Sequence, residues 1–133
     1  MARAETASSR HRISSGSPWE DPYGYSRAVV TGNACHVAGT TDPSGQHLGD
    51  AAGQARAALG IIERALTDAG FALGDVVRTR MYLTRFEDVD AVARAHGEVF
   101  RDIRPASTLV VVSALVAPEL LVEIEADAVR DPV

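Results

Sequence analysis

The sequence predicts a single α/β (α+β) domain, one mixed six-stranded sheet with two helices on one of its faces. Three observations carry that expectation. The chain has 133 residues, the length of one domain with its own core. Residues 50–69 and 88–100 repeat apolar side chains at helical spacing. The remaining segments, above all Val122-Glu123-Ile124-Glu125-Ala126-Asp127-Ala128, alternate apolar and polar residues with the period of a strand. The order is β-β-β-α-β-α-β-β, in which strand, helix, strand, helix, strand makes two crossovers. The right-handed crossover rule then places both helices on the same side.

The first ten residues, Met1 to Arg10, have no apolar centre of the kind a signal peptide needs and read as a disordered tail, with the domain spanning 11–133. His11 to Ser15 is a short strand. Gly16 to Gly24 is a loop dense in turn residues, and it carries Trp19 and Tyr23, with Tyr25 just after it. Such a loop either lids a pocket or anchors itself on the core or a partner. Tyr25 to Thr31 and Ala34 to Gly39 form a hairpin around Gly32-Asn33, with Cys35, Val37 and Gly39 on one face and Ala34, His36 and Ala38 on the other. His36 reads as a half-buried strand histidine, since no second ligand stands at a metal-binding spacing. Cys35 reads as a buried filler. The small residues Gly39-Thr40-Thr41 let a ligand or a second backbone approach closely.

Asp50 offers an N-cap to a helix that runs to about Ala69 and is closed by Gly70, with Ala55, Leu59, Ile62, Leu66 and Ala69 facing the sheet. Leu73 to Asp75 lead into a strand, Val76 to Leu83. There Val77, Thr79, Met81 and Leu83 alternate with Arg78, Arg80 and Tyr82. Asp88 to Phe100 is the second helix, with Val89, Val92, His96, Val99 and Ile103 on one stripe. His96 in that stripe reads as a satisfied core or interface histidine. Pro105 ends the helical region and starts the final pair of strands, the first of them read in the run Arg104 to Ser113.

The closing strand places Val122, Ile124 and Ala126 on one face and Glu123, Glu125 and Asp127 on the other. Three carboxylates in a row repel one another unless cations lie opposite. Arg78 and Arg80 are the expected partners. Two helices can cover only one side of such a sheet, so the charged side is expected to meet other subunits.

A net charge of −5 without a basic cluster argues against nucleic acid and anionic membranes as partners. A single cysteine excludes an internal disulfide and a cysteine-based zinc site, which suggests a reducing, cytoplasmic setting. No apolar run approaches the roughly 18 residues that would span a bilayer.

Several segments taken together resemble the Rid family, also called YjgF or endoribonuclease L-PSP. They are Gly24-Tyr25-Ser26-Arg27-Ala28-Val29, Val37-Ala38-Gly39-Thr40-Thr41, Gln54 with Ala57 and Leu59, Val77-Arg78-Thr79-Arg80-Met81-Tyr82-Leu83, Arg104-Pro105-Ala106-Ser107-Thr108 and Val122-Glu123-Ile124-Glu125-Ala126. The resemblance implies a chorismate-mutase-like fold, a homotrimer whose sheets close a barrel, and a small-molecule ligand in each intersubunit cleft. It implies hydrolysis of enamines or imines to a keto compound and ammonia, with no cofactor and no metal.

The family's catalytic positions fall on Tyr25, which borders the pocket, and on Glu123, which positions water. Gly39 matches a pocket-lining glycine, and Thr40 follows it. The family's carboxylate-binding arginine falls on Ser107, so the chain resembles the branches that lack it. A serine offers one hydroxyl where a guanidinium offers five donors. Arg104 and Arg27 are candidates to supply the missing guanidinium. Ser107 and Thr108 can hydrogen-bond a carbonyl or hydroxyl, and Trp19 belongs to the loop that would lid the cleft. Two functions follow as expectations, a Rid-like imine or enamine hydrolase and a non-catalytic, small-molecule-binding accessory trimer.

Overall fold

The computed structural model describes residues 10–131. Of the expected tail, residues 1–9 lie outside the described residues, whereas Arg10 already belongs to the first strand, β1 (Arg10–Ile13). The segment expected to be loop throughout contains one helical turn, α1 (Glu20–Tyr23). Gly24 closes it at φ 73°, donating its N–H to Glu20 O. A left-handed residue costs little only without a Cβ, so the glycine sets where the turn stops. Tyr25 N–H also bonds Glu20 O, which holds Tyr25 in the turn and delays the next strand, β2, to Ala28–Thr31.

β3 (Ala34–Thr40) pairs with β2 across the Gly32 turn. α2 (Ala51–Asp68) begins where Asp50 accepts the N–H of Gly53 at 2.9 Å. Its stripe Ala55, Leu59, Ile62, Leu66 and Ala69 is buried. A 3₁₀ turn at Leu73–Asp75 leads into β4 (Val76–Leu83), a second at Phe86–Asp88 leads into α3 (Val89–Phe100), and β5 (Ala106–Val111) and β6 (Val122–Val129) complete the chain. Among the described residues there are thus three α-helices, two long and one short, where two were expected.

The sheet order is β1-β2-β3-β6-β4-β5, parallel only between β4 and β5. β6, the last element made, lies in the centre. Its apolar residues Val122, Ile124, Ala126 and Ala128 are buried under α2 and join one core with Ile62, Leu66, Met81, Leu83, Val92 and Phe100. α2 packs on β3 and β6, and α3 packs on α2. Both long helices therefore cover one face and leave the other open.

Two breaks in register correct the simple alternation. Between Val76 and Arg78 the β4–β6 ladder shifts, so Val76 takes the inward position and Val77 is 47 % exposed. Between Val37 and Thr40 the β3–β6 ladder shifts as well. Thr40, not Gly39, then turns into the core, and Gly39 joins the charged face. A period-two reading cannot register an extra residue in one strand.

Candidate functional site

The open face of the sheet carries the three carboxylates of β6, and they are not equivalent. Asp127 lies 2.8 Å from His36 Nδ1 and 3.4 Å from Arg80 Nη1. Glu125 accepts the Tyr82 hydroxyl at 2.5 Å and lies 3.6 Å from Arg80 Nη1. Glu123 has neither a hydrogen bond nor an ion pair among the described residues. His36, expected half-buried, is exposed because its β3 position stands opposite Asp127 on this face. Arg80 meets the acidic row as expected. Arg78 forms no ion pair among the described residues.

Glu123 is half-buried and holds its proton more tightly than an ordinary glutamate. Burial is the main cause and repulsion by Glu125 adds to it, while attraction to Arg27 partly offsets both. Its carboxylate lies directly over Gly39, where a Cβ on residue 39 would overlap it. The bulge that flips Gly39 outward, and the absence of a side chain there, make this close approach possible.

Arg27 reaches the same residue from the other side, Nη2 donating to Gly39 O at 2.7 Å. Its Nε is buried without a hydrogen-bond partner. Burial lowers the arginine's proton affinity, opposed by Tyr25, Glu20 and Glu123. Tyr25 is at the rim, 37 % exposed, its hydroxyl 3.3 Å from Ser17 Oγ. The single chain therefore brings Arg27, Gly39 and Glu123 together, with Tyr25 close enough to act on Arg27 electrostatically.

The other expected residues lie elsewhere. Thr40 is 1 % exposed and gives its hydroxyl to Ala38 O, so it presents no side chain to this face. Ser107 pairs in register with Thr79, on the helix side of the sheet. There Thr79 Oγ1 lies 2.8 Å from both Ser107 Oγ and His96 Nε2. Thr108 stands opposite Arg80 on the open face, two strands from Glu123. Arg104, at φ 57°, lines a cleft of about 670 Å³ with His96, Phe100, Arg101 and Pro105. Trp19 stacks on Tyr23 with ring centroids 5.3 Å apart, both largely exposed.

His96 meets the expectation of a satisfied histidine. It is half-buried against Phe100, bonded to Thr79, and burial keeps its proton affinity low. Cys35 is fully buried, which pushes its thiol up. Among the described residues no three His, Cys, Asp or Glu side chains converge to hold a metal, and no helix is long and apolar enough to cross a membrane.

Gln54 is a residue whose role its sequence position did not disclose. Its buried amide donates to His47 O and Glu119 O and accepts the N–H of Leu121, tying the loop before α2 to the approach of β6. The signal available was a polar residue in the middle of an otherwise small and apolar helix face. Beside it is a smaller cavity, about 230 Å³, lined by Thr41, Asp42, His47 and Glu119. Burial opposes ionisation of Asp42, yet bonds from Ser44 and His47 hold its carboxyl below the usual range.

A six-stranded mixed sheet with its long helices on one face is the fold of the YjgF proteins. Residues 20–130 match the family described as Endoribonuclease L-PSP, and the chain belongs to this YjgF/Rid family. It is 41 % identical over 131 residues to an uncharacterized protein of Streptomyces coelicolor, covering 96 % of this chain and 98 % of that one. A Mycobacterium tuberculosis member of the YjgF/YER057c/UK114 family superposes with a TM-score of 0.86 at 52 % identity, over 92 % of this chain and 100 % of that one. The 3-aminoacrylate deaminase RutC of Acinetobacter baylyi is 40 % identical over 78 residues, 59 % of this chain and 61 % of that one.

Proposed function

We propose that the protein is a Rid-type hydrolase that converts a small imine or enamine to a carbonyl compound and ammonia. Its clefts lie between the subunits of a homotrimer. The carrying observation is the state of Glu123, the β6 carboxylate without a partner among the described residues, half-buried and inclined to keep its proton. A carboxyl group whose proton affinity is raised by burial can serve both as the acid and as the base. As the acid it gives its proton to the imine nitrogen; as carboxylate it takes a proton from the attacking water. The carbinolamine then collapses, the carbon–nitrogen bond breaks and ammonia leaves, so one water is consumed and no redox partner or metal is needed. Tyr25 borders the pocket, Gly39 gives the close approach, and Arg27 lies beside them. In the trimer Ser107, Thr108, Arg104 and Trp19 are assigned to the cleft walls.

The match to a 3-aminoacrylate deaminase over part of the chain supports the reaction class. The open, charged sheet face supports assembly, because a face bearing His36, Arg80, Tyr82 and three carboxylates fits a polar subunit interface. The acidic total supports a small-molecule ligand over nucleic acid, and the single buried cysteine fits a cytoplasmic setting.

The test is to generate imines from a panel of amino acids with an oxidase and follow loss of the imine absorbance with and without the protein. Acceleration that disappears in Glu123→Gln is expected, and no acceleration across the panel would defeat the reading. One observation favours a second reading, a non-catalytic ligand-binding trimer: Ser107 replaces the family arginine and its hydroxyl is engaged by Thr79. Ligand binding without turnover, indifferent to Glu123→Gln, is its signature.

A further inference from the structure

The segment between β3 and α2 holds a second polar arrangement, which imine hydrolysis at Glu123 does not use. The Asp42 side chain is 2 % exposed; one of its oxygens accepts the N–H of Ser44 at 2.9 Å and the other lies 2.7 Å from His47 Nδ1. No lysine or arginine pairs with it among the described residues. Buried charges are normally paired, so His47 is the partner on which the Asp42 carboxylate depends.

The same contact orients the imidazole. A carboxylate at Nδ1 keeps the proton of the neutral ring on that nitrogen and leaves Nε2 as a hydrogen-bond acceptor. Nε2 meets no donor among the described residues. The ring is also held from behind: His47 O accepts the N–H of Asp50 and the Gln54 amide, and a Cβ on Gly53, in the first turn of α2, would overlap His47 Cδ2. Glycine is a poor helix former, and here its missing side chain clears the ring.

His47 borders the cavity of about 230 Å³ beside Gln54, and Glu119 lines it too. The Gln54 amide donates to the carbonyls of both residues and so keeps them side by side. The Glu119 carboxylate has neither a hydrogen bond nor an ion pair among the described residues. Pro43, Leu48 and Leu120 supply an apolar wall, and no lysine or arginine lines the cavity.

Such a lining discriminates among ligands. An anion would meet Asp42 and Glu119 with no cation to offset them. A metal ion would lack ligands, because no three His, Cys, Asp or Glu side chains converge among the described residues. A wholly apolar molecule would leave Nε2 and Glu119 without donors. We propose that this cavity binds a small protonated primary amine, its ammonium donating to His47 Nε2 and to the Glu119 carboxylate and its alkyl part lying against Pro43, Leu48 and Leu120. Asp42 is a positioning residue, acting through the tautomer and orientation of His47. The site is distinct from Glu123, and the inference stands or falls independently of the hydrolase reading.

Proton NMR of the imidazole signals in mildly alkaline buffer tests it on the native chain. The chain has four histidines, and the His47 signal is identified by its Overhauser contact with the α-protons of Gly53. Titration with ethylammonium chloride should move that signal saturably. Tetramethylammonium chloride at the same ionic strength carries the same charge without an N–H donor, and should leave the signal in place. Glu119→Gln, a change at an exposed position that keeps the side chain's shape, should weaken ethylammonium binding about tenfold, the loss of one charge-assisted hydrogen bond. A His47 signal that ignores ethylammonium, one that responds equally to both cations, or a titration unchanged by Glu119→Gln would each overturn the proposal.

Discussion

Tyr82 gives its hydroxyl to Glu125 at 2.5 Å across the β4–β6 ladder, although its register partner on that strand is Glu123. The phenol leans along the strand to the next carboxylate. Hydrogen bonding to the charged acceptor makes the Tyr82 proton harder to remove. The consequence for the site is indirect: Tyr82 holds the Glu125 carboxylate beside Glu123, and repulsion from Glu125 adds to the burial that raises the proton affinity of Glu123.

Replacing Glu123 with Gln removes the proton-transfer group and retains shape. Imine hydrolysis should fall by about a hundredfold or more, the usual contribution of a positioned acid–base group, while circular dichroism stays the same.

The raised proton affinity of Glu123 also fixes the sign of a stability effect. The folded chain binds this proton more tightly than the unfolded chain does. The favourable contribution is therefore complete below the ordinary carboxylate value and is lost as pH rises through the raised folded value. Glu123→Gln cannot ionise and escapes that loss. In urea melts it should be more stable than the native chain in mildly alkaline buffer, with the difference closing as the buffer is taken down to acidic pH.

Gly39→Ala places a methyl group on the Glu123 carboxylate, flanked by backbone that is pinned by Arg27 and by the bulge. Only the Glu123 side chain stands in the way, and with no bond holding it among the described residues it can swing aside, so a stability cost below about 1 kcal/mol is expected together with loss of turnover as the carboxylate is displaced. A thermal melt and the imine assay read the two effects separately.

Gln54→Leu retains volume and deletes three buried hydrogen bonds that join the segment before α2 to the entry of β6. Three such bonds at about 1 kcal/mol each, with two carbonyls and an N–H left without partners, predict a loss of about 3 kcal/mol or more. Hydrogen exchange at Leu121, whose N–H meets the Gln54 oxygen, should accelerate beyond the global change.

Thr79→Val deletes a fully buried hydroxyl that bridges His96 and Ser107. Burial of the now unpartnered His96 Nε2 predicts a loss of about 1–2 kcal/mol. If Ser107 only borders the cleft, Glu123-dependent turnover should change far less than in Glu123→Gln.

The sequence by itself determined the order of elements, the α2 and α3 stripes, the six strands and the family, because each of these follows from short-range periodicity or from contiguous motifs. It also determined that β6 must carry three carboxylates on one face, since period two leaves no other arrangement. Which of the three stands apart was decided only in three dimensions. Asp127 meets His36 from β3, Glu125 meets Tyr82 from β4, and those partners lie 91 and 43 residues away along the chain. Tertiary structure likewise moved Gly39 to the open face and Thr40 into the core through a one-residue bulge, put Val76 in the place predicted for Val77, and turned Ser107 toward Thr79. Ladder register depends on the pairing of distant strands, and a single inserted residue reverses every side chain beyond it, so the composition of the site was written in register rather than in any one segment.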